Sequence, residues 1–243
     1  MIDAGAFPRT AKYDQCWIID NALGENALCQ AECLARHLPF RPGMRVLELG
    51  CGKATSSIFL AREFDLQVLA CDSGTSSTEN YRRAIALECG DRVFPLRVDA
   101  HDLPFAKEFF DAVVAIDAYL YFGTDERFLS YLGQFIKPQG HVGMVDIGFR
   151  REVSSIDDAP DYLRPQYEKY WSSIHTLEWW TRHWNKTGLV DMQHAAFLPE
   201  SDYLLRNYCA ERPPEQSEDP IMRAVPLDQS RLLGLFCMVG RKR

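Results

Sequence analysis

A chain of 243 residues, 47% of them hydrophobic, is long enough to bury one sizeable core and has no need of a second. Its 27 Lys and Arg stand against 34 Asp and Glu, a formal charge of −7 with no basic run, which sets phosphate-dominated nucleic-acid binding aside and leaves no nucleic-acid partner expected. No stretch reaches the ~18 apolar residues of a membrane span, and the opening MIDAGAFPRT has no apolar core behind a charged region, so a cytoplasmic location is expected.

From Tyr13 to Asn26 a segment carrying Trp17, Asp20, Asn21 and Gly24 precedes the first core helix, where Cys29 and Cys33 share one face. Strand-like runs near 44–49, 67–71, 92–98, 111–116 and 140–148 then alternate with helical patterns near 55–64, 76–89 and 125–137. This alternation predicts βαβ units and a parallel sheet covered on both faces, an α/β architecture. The second of these helices opens on a capping box, Ser76-x-x-Glu79, and closes at Gly90. In the third, Phe128, Leu129, Leu132, Phe135 and Ile136 recur at helical spacing as core.

Beyond residue 148 the rhythm changes. Residues 150–173 are polar, aromatic and broken by prolines, and Tyr162, Tyr167, Tyr170 and Trp171 are candidates for a cover over a site. A helix from Leu177 to Lys186 stops at Gly188; a strand near 189–196, a solvated loop over 211–220 and a last strand near Arg231 to Val239 complete the chain. One domain is expected over 1–243, divided into an N-terminal helical flap (1–40), a binding core (41–148), an inserted lid (149–176) and a C-terminal part (177–243). The eight cysteines contain no C-x-x-C, and no Cys or His pair has ligand spacing, so neither a disulfide nor a metal site is expected. Oligomeric state leaves no mark in the sequence.

The chemistry concentrates in residues 45–72. An apolar strand breaks into Gly50-Cys51-Gly52, a helix starts near Thr55, and the next strand ends on Asp72. Paired glycines let a backbone approach a ligand that a Cβ would hold away. A helix N-terminus offers unpaired N–H groups, and an acid about twenty residues on is placed for the hydroxyls of a ribose. These features predict a pocket for an adenosine-containing cofactor. A dinucleotide fingerprint would need a third glycine where Thr55 stands. Instead the turn reads Glu48-x-Gly50-x-Gly52-x-Ala54, with an acid two residues ahead of the first glycine.

That pattern resembles motif I of the class I S-adenosylmethionine (SAM) dependent methyltransferases, with Ala54 replacing the last glycine. Later segments extend the resemblance in order from about residue 40 to about 148: Arg97-Val98-Asp99-Ala100-His101-Asp102 after strand three, Phe110-Asp111 opening strand four, and Phe135-Ile136-Lys137-Pro138-Gln139-Gly140 before strand five. Flanking segments look like small-molecule members of methyltransferase type 11. The resemblance implies a Rossmann-like, seven-stranded, mostly parallel sheet with an antiparallel last strand. It also implies transfer of a methyl group from SAM to a small-molecule acceptor. The cofactor residues it implies are Tyr13, Glu48, Gly50, Cys51, Gly52, Asp72, Ser73, Asp99, Ala100, His101 and Asp117. Tyr13 is assigned the methionine carboxylate, Asp72 the ribose and Asp99 the adenine amino group.

Asp117 to Phe122 follow strand four and are expected to face the methyl group. A general base, where the acceptor carries a proton, is expected from His175, Asp117 or Tyr119; His175 has the side-chain type that titrates near neutrality. Trp179, Trp180 and Trp184 read either as helix-on-sheet packing or as an aromatic cage for a cationic substrate. Two other functions fit part of the pattern: a NAD-dependent oxidoreductase, and a SAM-binding protein without catalysis.

Overall fold

Residues 2–24, 26–164, 173–211 and 220–243 are described by a computed structural model. The segment with Tyr167, Tyr170 and Trp171 therefore lies outside the described residues, as does most of the expected 211–220 loop.

Apolar runs with no solvated face drive the centre of the molecule. Strands β1 (Arg45–Leu49), β2 (Gln67–Asp72), β3 (Val93–Arg97), β4 (Phe110–Ile116) and β5 (Ile136–Phe149) pair in parallel, and β7 (Leu233–Lys242) inserts antiparallel between β5 and β6 (Val190–Phe197). The seven-stranded order is β3-β2-β1-β4-β5-β7-β6. β1 lies between β2 and β4, so the chain reverses its direction of winding there, and a crevice opens beyond the carboxyl ends of these strands.

Helices α1 (Gln15–Asn21), α2 (Ala27–Ala35), α3 (Thr55–Phe64), α4 (Ser77–Ala86), α5 (Phe128–Leu132), α6 (Leu177–Lys186), α7 (Ser201–Glu211) and α8 (Pro220–Asp228) flank the sheet. Local chemistry sets their starts. Asp14, Asn26 and Thr176 accept from the backbone amides of Trp17, Cys29 and Trp179 as N-caps. Ser76 caps α4 through Glu79 N at 3.3 Å, while the Glu79 carboxylate pairs with Arg82 rather than closing the box. Trp180 and Trp184 bury completely, which settles them as packing residues. Trp179 stacks between His175 (3.7 Å) and His183 (4.6 Å).

Two helix ends differ from the sequence reading. α4 stops at Ala86 because Glu88 adopts a left-handed φ of 56° and Cys89 N returns to Ala84 O at 2.9 Å, doing the work expected of Gly90. The third periodic run forms helix only over Phe128–Leu132. Phe109 N and Phe110 N both donate to Phe135 O at 2.9 Å and draw this stretch into the sheet, where a bulge separates the Phe110–Ile136 and Ala112–His141 pairs. Phe135 and Ile136 are still core, but as the turn before β5 and its first residue rather than as helix.

The N-terminal segment is tied to the core by one buried carboxylate. Glu32 on α2, 5% exposed, accepts from Arg9 N (3.0 Å), Thr10 N (2.8 Å) and Thr10 Oγ1 (2.7 Å). Replacing Glu32 by Ala strands those donors, so unfolding free energy should fall by about 2–4 kcal/mol, summing buried donors that lose a charged acceptor. Urea denaturation checks this, and limited proteolysis should show earlier cleavage ahead of α1.

Candidate functional site

The turn after β1 is built by its own backbone. Gly50 and Gly52 take φ of 70° and 51°, a region open to glycine, and Ala54 follows at 58° despite its Cβ. Gly50 N and Cys51 N both donate to Cys71 O (2.8 and 3.1 Å), and Ala54 N donates to Cys51 O (2.8 Å). Gly52 N donates to Asp72 Oδ2 at 3.0 Å. The other carboxylate oxygen of Asp72 accepts from Gly74 N and Thr75 N, each at 2.8 Å. Thr75 Oγ1 and Asn80 Nδ2 in turn donate to Gly52 O, both at 2.8 Å. The amides of Gly50, Cys51, Gly52 and Ala54 are thus spent inside the fold.

Beyond the turn lies a cavity of about 520 Å³, within the ~300–1,000 Å³ of small-molecule sites. Its wall holds Gly50, Cys51, Gly52, Asp72, Ser73, Asp99, Ala100, His101 and Asp117 from the sequence reading. Leu49, Val98, Ile116, Ala118, Phe122 and Ile147 supply apolar surface between them. Asp72, Asp99 and Asp117 stand at or just past the carboxyl ends of β2, β3 and β4, so one apolar slot is bordered by three separated acids. Asp99 Oδ1 accepts from His101 N (2.8 Å) and faces His101 Nδ1 (2.9 Å); these bonds, the amide first, hold its carboxyl below the usual range. Cys51 and Cys71 are buried beside the turn, and burial pushes both thiols up, to about 12 for Cys71.

A second wall comes from the N-terminus. Asn21, Leu23, Gly24 and Ala27 line the cavity. Lys53 Nζ donates to Asp20 O at 2.9 Å and Arg83 Nε to Asn21 Oδ1 at 2.7 Å, latching this stretch across the glycine turn. Gly24 lies on Asp117 so closely that a Cβ there would sit 1.8 Å from Oδ2. Leu23, Lys53 and Ile147 escaped sequence reasoning because each is an ordinary residue with no motif to mark it, whereas Phe122 lies in the expected segment after β4. Gly24 and Asn21 carried the only usable signal, turn and cap chemistry ahead of a core helix.

Tyr13, Glu48, Tyr119 and His175 lie elsewhere, which corrects their expected places. Tyr13 Oη donates to Glu63 Oε1 at 3.4 Å, its ring packs on Phe59 and Trp17, and burial raises its pKa. The Arg9 and Lys12 pairs with Glu63 hold that end of the segment away from the cavity. Glu48 is fully buried beneath the turn, with one oxygen accepting from Ser56 Oγ and the other from Ser57 Oγ. Burial raises its pKa against those two bonds, and its role is to fasten the start of α3 to β1. Tyr119 turns inward because residues 119–121 form a short 3-10 helix, and Leu120 N is held by the buried Asp146 Oδ2 at 3.0 Å. Its hydroxyl is enclosed beside Trp180 and Trp184, with no geometrically good hydrogen-bond partner among the described residues, whereas Tyr121 is exposed and lines the cavity. His175 stacks on Trp179 instead of facing the cavity.

Known proteins share this plan. The family described as a methyltransferase domain matches residues 46–140. Methyltransferase GfsG of Streptomyces halstedii is 26% identical over 138 residues, covering 56% of this chain and 50% of the relative. The 27-O-demethylrifamycin SV methyltransferase of Amycolatopsis mediterranei is 24% identical over 175 residues, covering 71% and 64%. The chain therefore spans between half and two thirds of these relatives. Among solved structures, a geranyl diphosphate methyltransferase in complex with SAM superposes with a TM-score of 0.73 at 19% identity, covering 90% of this chain and 86% of that one. The [4+2]-cyclase SpnF gives 0.72 at 18% identity, covering 88–89% of this chain and 78–81% of its counterpart when taken with a geranyl diphosphate C-methyltransferase of Streptomyces coelicolor A3(2) at the same score. Residues 46–140 thus match a methyltransferase domain, and the fold is one that solved methyltransferases share.

The two glycines are not equivalent. A Cβ on Gly50 would come 2.4 Å from Ala118 Cβ, which cannot move aside, whereas one on Gly52 would meet only the mobile end of Leu23 at 2.8 Å. Gly50→Ala should therefore cost about 2–5 kcal/mol of stability and Gly52→Ala about 1–2 kcal/mol, the left-handed penalty alone. Denaturant midpoints of the two variants measure the difference. Tyr119→Phe removes a buried hydroxyl that has no good hydrogen-bond partner among the described residues, so stability should stay within about 1 kcal/mol or rise. Turnover should also survive, and a large loss of activity with the fold intact would return Tyr119 to the chemistry.

Proposed function

We propose that this chain binds SAM in the cavity beside the glycine turn and transfers its methyl group to a small-molecule acceptor, releasing S-adenosylhomocysteine. The observation that carries the reading is the cavity at the β1–β4 switch point, whose apolar slot is bordered by Asp72, Asp99 and Asp117. Acceptors of hydrogen bonds at three separated points suit a ligand with a ribose diol, an adenine amino group and a cationic methionine end. They do not suit a pyrophosphate, and the amides such a group would need at the turn are already used. This argues against the nicotinamide alternative. When bound, SAM would supply an electrophilic methyl on a sulfonium, already a good leaving group.

The chain's own task is then alignment. Asp72 is held rigid by three backbone amides and would hold the ribose; Asp99 and His101 would border the adenine, with Ser73 and Ala100 beside them. Asp117 would meet the cationic end from the tip of β4, beneath Gly24. Holding nucleophile, carbon and sulfur in line is worth about 7–11 kcal/mol of barrier. Of the groups proposed as a base, Asp117 is the one that lines the cavity, and Tyr121 joins it there. Relatives that act on a rifamycin derivative or on geranyl diphosphate support a small organic acceptor. Residues 1–40 would serve as the flap and 149–176 as the lid. Tyr162, in the described part of that insertion, is bonded to Asp228 Oδ1 at 2.8 Å.

The test is binding followed by turnover. S-adenosylhomocysteine should raise the melting temperature, as ligand linkage requires, while NAD should not. Asp72→Asn should weaken SAM and S-adenosylhomocysteine by about 1.5–3 kcal/mol, the scale of a hydrogen bond to a charged group. Unchanged affinity in a folded Asp72→Asn protein would sink the assignment. A fold neighbour named as a cyclase makes methyl transfer itself the second measurement: labelled SAM with a panel of small acceptors should yield a labelled product. Tight SAM binding with no transfer to any acceptor would favour the non-catalytic reading.

A further inference from the structure

Far along the sequence from one another, His37, His194 and Cys237 meet in space. One nitrogen from each imidazole and the Cys237 sulfur all lie within 4.8 Å of one another. Among the described residues this is the one such grouping of His, Cys, Asp and Glu side chains. The fold puts it there by simple geometry. Cys237 on β7 pairs with Ala196, and His194 sits two residues before Ala196 on β6, so both side chains leave the same face of the ladder as diagonal neighbours. α2 crosses that face, packing Leu34 against Gly143 of β5, and His37 follows its last turn, its amide donating to Leu34 O at 3.0 Å. The two imidazoles stack with centroids 3.5 Å apart and planes 13° apart.

We propose that His37, His194 and Cys237 bind a thiophilic divalent transition ion, zinc being the expected occupant. Two imidazoles and one thiolate are a donor set for zinc, cobalt or copper and not for magnesium or calcium, which take oxygen ligands. Tetrahedral zinc, with Zn–N near 2.1 Å and Zn–S near 2.3 Å, needs donor atoms roughly 3.3–3.8 Å apart. Donor atoms already inside 4.8 Å of one another are near that spacing, and the two stacked rings would have to turn to aim their nitrogens at one point. His37 is exposed and gives the ion a path from solvent and room for a fourth, non-protein ligand, while Cys237 anchors the site in the core. The carbonyl end of α2 adjoins the site and favours a cation. The buried Cys237 thiol must give up its proton to the medium when the bond to the metal forms; no electron transfer is involved.

The site is separate from the SAM cavity, yet α2 joins them: its first residue, Ala27, lines the cavity, and its far end leads to His37. An ion would pin the far end of that helix to the β6–β7 edge.

Metal-free protein titrated with cobalt(II) tests this without reference to activity. One ion per chain should bind with a thiolate-to-cobalt charge-transfer band in the near ultraviolet, and zinc(II) should bleach it. His37→Ala, at an exposed position that leaves the core intact, should weaken binding by at least about tenfold, and Cys237→Ala should abolish the band. Magnesium(II) should neither bind nor raise the melting temperature, whereas zinc(II) should raise it in the wild type and not in His37→Ala. Absence of the band in the wild type, or a band unchanged in both variants and so arising at another thiol, would overturn the site.

Discussion

The Asp72 carboxylate is the constraint on which the rest of the site depends. Three backbone amides from two different turns converge on its two oxygens, joining the glycine turn after β1 to the turn after β2. A charged acceptor makes each bond stronger than a neutral pair. Because the strands are parallel and adjacent, both turns emerge at the same edge of the sheet, and the acid fixes their separation. Gly50 and Gly52 can then hold positive φ without drifting, and the cavity wall keeps its shape before any ligand arrives. Glu48 performs the matching task from below by gripping Ser56 and Ser57 at the start of α3.

This division of labour explains which parts of the site could be read from the sequence. Gly50, Gly52, Asp72, Asp99, His101 and Asp117 sit at strand ends, where the period of the hydrophobic pattern and the turn chemistry fix position to within a residue. All of them line the cavity. Glu48 has the same motif spacing but the opposite outcome. An acid inside a strand points to one face or the other, and only the pair of serines eight and nine residues later shows which. Tyr119 and Tyr121 teach the same lesson: two tyrosines two residues apart separate into core and cavity because a 3-10 turn, pinned by the buried Asp146, rotates one of them inward.

The sheet was legible for a related reason. Continuous Val, Ile, Leu and Ala runs have no alternative to burial on both faces, and every strand of the core appears within a few residues of its expected bounds. Helix ends were less legible. Glu88 took the left-handed role assigned to Gly90, and Phe135 left a helical pattern to satisfy two amides of the neighbouring strand. In both cases a tertiary hydrogen bond outweighed a local preference of a few tenths to about 1 kcal/mol. The contribution of His37, His194 and Cys237 was invisible for a stronger reason. Their proximity depends on the register of β6 against β7 and on the crossing of α2, neither of which leaves a spacing in the chain.

The N-terminal segment is held to the core at both of its ends. Its contacts fall into two groups with different consequences. Glu32, Glu63 and their partners hold residues 7–13 against α2 and α3, well away from the cavity, and behave as ordinary packing. The stretch from Asp20 to Gly24 instead touches the glycine turn and Asp117 through one lysine, one arginine and the absence of a side chain at Gly24. The Lys53 bond is exposed and the Arg83 bond part-buried, and a hydrogen bond from a charged donor contributes about 1.5–3 kcal/mol at most sites. Leu23 also approaches Gly52, so this stretch meets the glycine turn through apolar contact as well as through hydrogen bonds.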